Sequence, residues 1–358
     1  MAEYSGIILA IIIAFAISFI CVPQAIRLAY KVGAVDKPDE RKVHSGSMPR
    51  LGGLAIFSAF IISLLCFAHP SRPILGLALG SSVIFAVGAL DDIYQLSPWV
   101  KLIGQSLAAA LAMFSGITVQ FVTNPFDGPL GLGYLSLPLT FLWIVGVTNA
   151  INLIDGLDGL AAGVSGIAAC TMGVVALIMH QSGIALVAFI LVAAIAGFVP
   201  YNFHPARTFM GDGGSNFLGF CLSCLAILGT AKSAAVISLF VPIVILGIPI
   251  FDTLFAIIRR IHNKAPILMP DKDHLHHRLM ALGMSHRRSV VTIYGISGFF
   301  AMVAVVLTKI NSPKATFGLS LLLLLVVLGA RKIGLFTGER PMPATRINES
   351  GHVGKIEL

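Results

Sequence analysis

Apolar runs long enough to cross a bilayer follow one another along nearly the whole chain, and no other feature restricts its possible folds as much. They fall at about 5–30, 51–68, 72–90, 98–116, 135–153, 159–180, 183–200, 214–230, 234–258, 289–308 and 313–331. A helix needs about 20 apolar residues to span the hydrocarbon core. Eleven such runs predict an all-α polytopic membrane protein with a single transmembrane catalytic domain over 1–331. The remainder, 332–358, contains Pro, Gly and charges and reads as a flexible cytoplasmic tail. Composition agrees with this, since 57% of the 358 residues are hydrophobic and 11% are charged. An ordinary soluble domain carries about 25% charged residues.

Eleven spans put the termini on opposite sides. The first apolar run lacks a basic segment before it and a small-residue cleavage site after it, while Arg27 and Lys31 follow it. It therefore reads as an uncleaved first helix with the N-terminus outside and the C-terminus cytoplasmic. In that orientation Arg72, Lys232, Lys309 and Lys314 lie outside and all the other Lys and Arg of the 24 lie inside, as the positive-inside rule requires. Attraction to anionic headgroups then explains the net charge of +8 without nucleic acid. Cys21, Cys66, Cys170, Cys221 and Cys224 all sit in apolar stretches. No His or basic neighbour is present to activate the Cys221–Cys224 pair, so these read as small hydrophobic filler.

The acids are as one-sided as the bases. Of 16 Asp and Glu, only Glu3 and Asp127 fall outside, and carboxylates beside apolar spans are costly unless paired. Asp91 and Asp92 end one span, with Lys101 beginning the next. Adjacent carboxylates repel and need a cation, a proton or a positively charged site between them; capping and anchoring explain the trio equally well. In NAINLIDGLDGLAAG, Asn149, Asn152, Asp155 and Asp158 recur every three residues among glycines, a spacing that favours one polar side and close ligand approach. Asp212 lies in a GDGGS turn before a span, where backbone N–H groups can meet phosphate and a carboxylate can hold a divalent cation. A simple capping turn looks the same, and Phe209 beside it reads first as core. The longest inner loop carries His274, His276, His277 and Arg278 after Asp271 and Asp273. It has no HxxxH pair and no Cys partner, so diphosphate or sugar binding suits it better than structural zinc. The fifth cluster, VDKPDERKVHSGSMPRLGG, is cationic and doubles as a positive-inside anchor. Together the five describe a Mg²⁺-dependent site for a phosphorylated substrate at the bilayer surface.

With these residues the chain resembles the polyprenyl-phosphate N-acetylhexosamine-1-phosphate transferases. The likeness runs from about Val35 to Arg288 and rests on DD-x8-K, NAxNxxDGLDGL and FxGDxGS in that order. The resemblance implies transfer of a sugar 1-phosphate from a UDP-sugar to undecaprenyl phosphate, with release of UMP, at the cytoplasmic face of the inner membrane. It gives Asp91 and Asp92 a place beside the lipid phosphate and Lys101 a phosphate contact. It assigns Asn152 and Asp212 to Mg²⁺, with Mn²⁺ as a substitute, and Asp158 and Phe209 to uracil, with Asn149 in the nucleotide-binding set. Asp155 falls in the central cleft, and His276, His277 and Arg278 fall in the loop that contacts sugar and diphosphate, with His274 beside them. Where part of the family has a nucleotide-binding lysine before PTMGG, this chain has Ser45 before PRLGG. That role passes to Lys42, His44 or Arg50.

HLHHRL resembles the N-acetylglucosamine branch, whereas the muramoyl-pentapeptide branch carries HHHFE. The expected partners are UDP-N-acetylglucosamine, undecaprenyl phosphate, membrane lipids and a second copy of the chain in a homodimer. The product would initiate a cell-envelope glycan such as teichoic acid or O-antigen. The expected mechanism is a single displacement, with a covalent acyl-phosphate as its competitor. The muramoyl-pentapeptide sibling is the alternative enzyme. A cation- or proton-coupled transporter is the alternative of another class, disfavoured because the acids lie at one face and no repeat is present.

Overall fold

The computed structural model of the chain describes residues 2–36, 47–124, 128–230, 240–264, 274–309 and 312–332. The expected roles of Lys42 and His44, and the tail beyond Lys332, lie outside these residues. The chain is mostly helical, at 81%. Thirteen helices are described: α1 (Ala2–Val32), α2 (Gly53–Phe67), α3 (Arg72–Tyr94), α4 (Pro98–Phe114), α5 (Ser136–Leu153), α6 (Leu160–Ile178), α7 (Ser182–Asn202), α8 (Gly211–Thr230), α9 (Phe240–Ile245), α10 (Gly247–His262), α11 (Leu275–Ala281), α12 (His286–Leu307) and α13 (Ser312–Lys332). Among the described residues seven helices, α1, α3, α5, α6, α7, α8 and α12, contain stretches long and apolar enough to cross a membrane. At 15 residues, α2 reaches only about 22 Å, which is short of a hydrocarbon core about 30 Å thick.

One departure from the sequence reading has a local cause. The run at 234–258 is not a single helix, because α9 and α10 meet at Leu246. Pro249 has no N–H to offer the carbonyl of Ile245, four residues back, so the helical ladder is interrupted there. The chain is also not purely α, and one short strand pair falls in the 117–134 loop, where the sequence admits a hairpin. Strand β1 (Val35–Asp36) pairs with β2 (Met48–Pro49), and β3 (Phe121–Asn124) pairs with β4 (Gly128–Gly131), both antiparallel.

Helix α8 is the central element. Its most apolar stretch is 89% buried, and it packs against α3, α5, α6 and α2. Helices within a bilayer gain little from hydrophobic exclusion, so close backbone approach at small residues has to supply the packing. Gly88 of α3 lies against the backbone of Asp212 and Gly213, and Gly53 of α2 against Gly214. Phe60, Phe217 and Phe220 fill the remaining space without exposure, with Phe60 and Phe217 edge to face at 5.5 Å. Cys221 and Cys224 are free, fully buried members of this core, in keeping with their reading as filler.

Candidate active site

Close packing of α3 on α8 sets the end of α3 against the start of α8, where the acids collect. Asp92, whose side chain is completely buried, accepts hydrogen bonds from Asp212 N at 2.9 Å and Gly213 N at 3.0 Å. It caps α8 with a carboxylate and satisfies two N–H groups that have no partner inside the helix. The turn between them requires Gly211, whose φ is +73° and whose absent Cβ would collide with the Arg50 carbonyl and the Asp92 carboxylate. Asp91 faces elsewhere, as successive positions on a helix must. Its Oδ1 accepts from Leu96 N at 2.7 Å and its Oδ2 from Lys101 Nζ at 2.8 Å. Lys101, one turn into α4, also donates to Asp212 Oδ2 at 2.8 Å. Arg50 completes the cluster at 3.5 Å from Asp92 Oδ1 and 3.8 Å from Asp212 Oδ1. Three carboxylates thus share two cations.

Arg50 and Asp212 also line a cleft of about 370 Å³ that opens beside them, together with Asn152, Asp155, Asp158 and Phe209. Asp36 lines it too, brought there by the β1–β2 pairing that sets Val35 opposite Pro49. Backbone bonds join the segment after β2 to the turn before α8: Phe209 N donates to Pro49 O at 2.8 Å, and Gly52 N to Phe209 O at 3.0 Å. Asn202 ties down the opposite wall, accepting from Gly159 N at 3.1 Å and donating to Thr208 O at 2.9 Å. Burial pushes the Asp155 carboxyl up to about 7, and the carboxylates of Asp212 and Asp92 add to this. The group is therefore poised between its two protonation states near neutral pH.

Asn152 gives its amide N–H to Ser215 Oγ at 2.8 Å, so the amide oxygen is what it can offer a ligand. With Asp212 and Asp155 it forms a set of hard oxygen donors around one cleft. Mg²⁺ takes such donors, one or two carboxylates completed by water and substrate phosphate. The residues present fit that ion.

Asn149 lies apart from this cleft. Its side chain exchanges hydrogen bonds with Gln105, Nδ2 to Oε1 at 2.9 Å and Nε2 to Oδ1 at 3.1 Å. Gln105 also donates to Asn216 Oδ1 at 3.2 Å, so three amides join α4, α5 and α8. The HLHHRL segment stands behind the cleft wall. His274 Nδ1 pairs with Asp252 Oδ2 at 2.8 Å, and Leu275 N donates to Asp252 Oδ1 at 2.8 Å. Asp252 thus fastens α11 to α10. His276 and Arg278 are buried. The His276 ring lies against Gly156, leaving no room for a Cβ there. Burial, with His277 beside it, pushes the His276 imidazole down to about 3, so it is neutral.

Residues 74–230 match the family model described as glycosyl transferase family 4. The chain is 47% identical to a protein of Bacillus subtilis (strain 168) named probable undecaprenyl-phosphate N-acetylglucosaminyl 1-phosphate transferase, over 94% of this chain and 95% of that protein. It is 34% identical to the decaprenyl-phosphate N-acetylglucosaminephosphotransferase of Mycolicibacterium smegmatis, over 84% of this chain and 80% of the other. It is also 30% identical to the undecaprenyl-phosphate alpha-N-acetylglucosaminyl 1-phosphate transferase of Yersinia pestis, over 88% and 87%.

Proposed function

The chain belongs to glycosyl transferase family 4, and from that premise we propose that it transfers N-acetylglucosamine 1-phosphate from UDP-N-acetylglucosamine to undecaprenyl phosphate. UMP is released, and the lipid product starts a cell-envelope glycan. The observation that carries this reading is the 47% likeness to a transferase of that name, which runs through nearly all of both chains, cleft included. The enzyme is an eleven-span protein of the bacterial inner membrane with its cleft toward the cytoplasm. The concentration of Lys, Arg, Asp and Glu at that face supports this placement.

Phosphoryl transfer depends on positioning and charge neutralisation rather than on covalent help from the protein. Lys101 and Arg50, already bridging carboxylates, turn toward the donor diphosphate and the acceptor phosphate when these arrive. Asn152, Asp212 and Asp155 would hold Mg²⁺, which would supply charge neutralisation at the diphosphate. Asp158 and Phe209 take the nucleobase. Asp92 is committed to capping α8, so Asp91 is the carboxylate that orients the lipid phosphate. An oxygen of that phosphate forms a bond to the β-phosphorus, and the bond from the β-phosphorus to the bridging oxygen breaks. UMP leaves with that oxygen. His277, the half-buried histidine of HLHHRL, contacts sugar and diphosphate, while the buried Arg278 supports that segment from behind.

UMP release by the purified protein, measured with undecaprenyl phosphate and a panel of UDP-sugars in competition, tests the reading. UDP-N-acetylglucosamine is expected to be used in a Mg²⁺-dependent reaction, and the muramoyl-pentapeptide donor refused. Preference for the pentapeptide donor would move the chain to the sibling activity. A folded protein that releases no UMP from any donor would end the proposal.

A further inference from the structure

Behind the cleft, Asp158 also belongs to a second cluster, whose two histidines the transfer chemistry does not use. Asp158 lies between α5 and α6, His204 just after α7, and His286 opens α12. One donor atom from each of the three lies within 4.8 Å of the others. His204 Nδ1 stands 2.7 Å from Asp158 Oδ2, which also accepts from Ala206 N at 3.2 Å. The His204 and His286 rings lie face to face, with centroids 4.3 Å apart and planes at 22°. An aspartate–histidine pair alone accounts for His204. His286 has a hydrogen bond with the Asp158 backbone, but its Nε2 is buried without a hydrogen-bond partner.

We propose that Asp158, His204 and His286 form a site for a divalent transition ion, with Zn²⁺ the best fit. Two imidazoles and one carboxylate, with water in a fourth position, make a donor set that suits Zn²⁺ and that Mg²⁺ does not favour. The site is thus chemically distinct from the oxygen donors of Asn152, Asp155 and Asp212. Zinc–nitrogen bonds of about 2.0–2.1 Å place tetrahedral donors roughly 3.3 Å apart, so side-chain movements of about an ångström would close the site. Ala206 N holds the carboxylate in place, the kind of outer support that ligating carboxylates usually have. Ligation takes the lone pair of one imidazole nitrogen on each histidine and leaves the ring N–H on the other. Only the neutral imidazole ligates, so affinity rises with pH. Once bound, the ion ties the α5–α6 connection, the segment after α7 and the first turn of α12 into one unit.

The test is a Zn²⁺ titration of the purified, metal-stripped full-length protein by calorimetry in excess Mg²⁺, with the thermal midpoint followed in parallel. One Zn²⁺ per chain is expected, with a higher midpoint, and Mg²⁺ should not compete. His286→Ala and His204→Ala should each weaken binding at least tenfold and abolish the thermal shift. His204→Ala also removes a partner of Asp158, so His286→Ala, checked for a monodisperse folded state, decides if the other variant misfolds. His277→Ala should bind like the parent. No saturable binding by the parent overturns the proposal, as does parental affinity in His286→Ala or loss of binding in His277→Ala instead. Metal binding is read directly, so failure of the transferase reading leaves this test intact.

Discussion

Asp91 and Asp92 are neighbours in the chain but occupy different environments. Asp92 is sealed against two backbone N–H groups of α8, whereas Asp91 meets Lys101 at the rim. Asp91→Asn is therefore expected to lower turnover at least 100-fold with an unchanged thermal midpoint. Asp92→Ala should instead cost about 1–3 kcal/mol of stability, because it leaves buried donors unpaired. Thermal unfolding and kcat measured on both variants separate the two roles, and equal losses of both quantities would contradict them. Asp155 gives a prediction in pH. Its folded value of about 7 lies above the ordinary 3.8, so the folded state binds its proton more tightly than the unfolded state does. Stability is then lost as pH rises from about 4 to 7. Asp155→Asn should unfold at a higher temperature than the parent at pH 8, and at the same temperature near pH 4, when divalent cations are absent. Motif spacing announced all three acids. It could not say which carboxylate caps a helix, because that depends on a contact across 120 residues of sequence.

Elements converge on the site through a few points where no side chain can intrude. Gly211 is the clearest, with a positive φ and both Arg50 and Asp92 against its missing Cβ. Gly211→Ala should cost at least about 1–3 kcal/mol from backbone strain alone and lower turnover by displacing Asp212. Gly229→Ala, in the same helix with nothing within 4 Å, should be neutral or slightly stabilising. Comparing thermal midpoints and kcat of the two variants distinguishes the strained turn from a general intolerance of α8 to alanine. At this scale the GDGGS motif marked the turn correctly, and apolar run length marked most of the helices. Two features were not legible. The interruption at Leu246 was hidden because hydropathy ignores the missing N–H of Pro249. Asp252 was hidden because a single acid in an apolar helix has no spacing to display, although it holds both His274 and the backbone of Leu275. Asn149 is a related case. Three-residue periodicity groups it with Asn152 and Asp155, but its side chain pairs with Gln105 of α4, which in turn donates to Asn216 of α8.

For the whole molecule, the number of bilayer crossings decides which side each loop faces. Among the described residues seven helices are long and apolar enough to cross; eleven crossings require α2, α4, α13 and the α9–α10 pair to cross as well. Parity separates these counts. Arg72, Arg207 and Lys309 are all exposed. The five helices α3 to α7 lie between the first two, and α8, α9–α10 and α12 lie between Arg207 and Lys309. With eleven crossings, Arg72 and Lys309 share the outer side and Arg207 lies opposite, on the side of the cleft. A chain whose α9–α10 pair dips into the bilayer and returns would instead leave Lys309 on the same side as Arg207. Single cysteines at these three positions, in a background lacking the five native ones, can be labelled on intact cells with a membrane-impermeant maleimide. Labelling at 72 and 309, and at 207 only after permeabilisation, is the expected pattern. Labelling at 72 alone would make the break at Leu246 a re-entrant turn, with α10 and α11 still packed beside the cleft. Labelling at 207 alone would turn the whole protein over, placing the cleft on the face where a cytoplasmic nucleotide-sugar donor could not reach it.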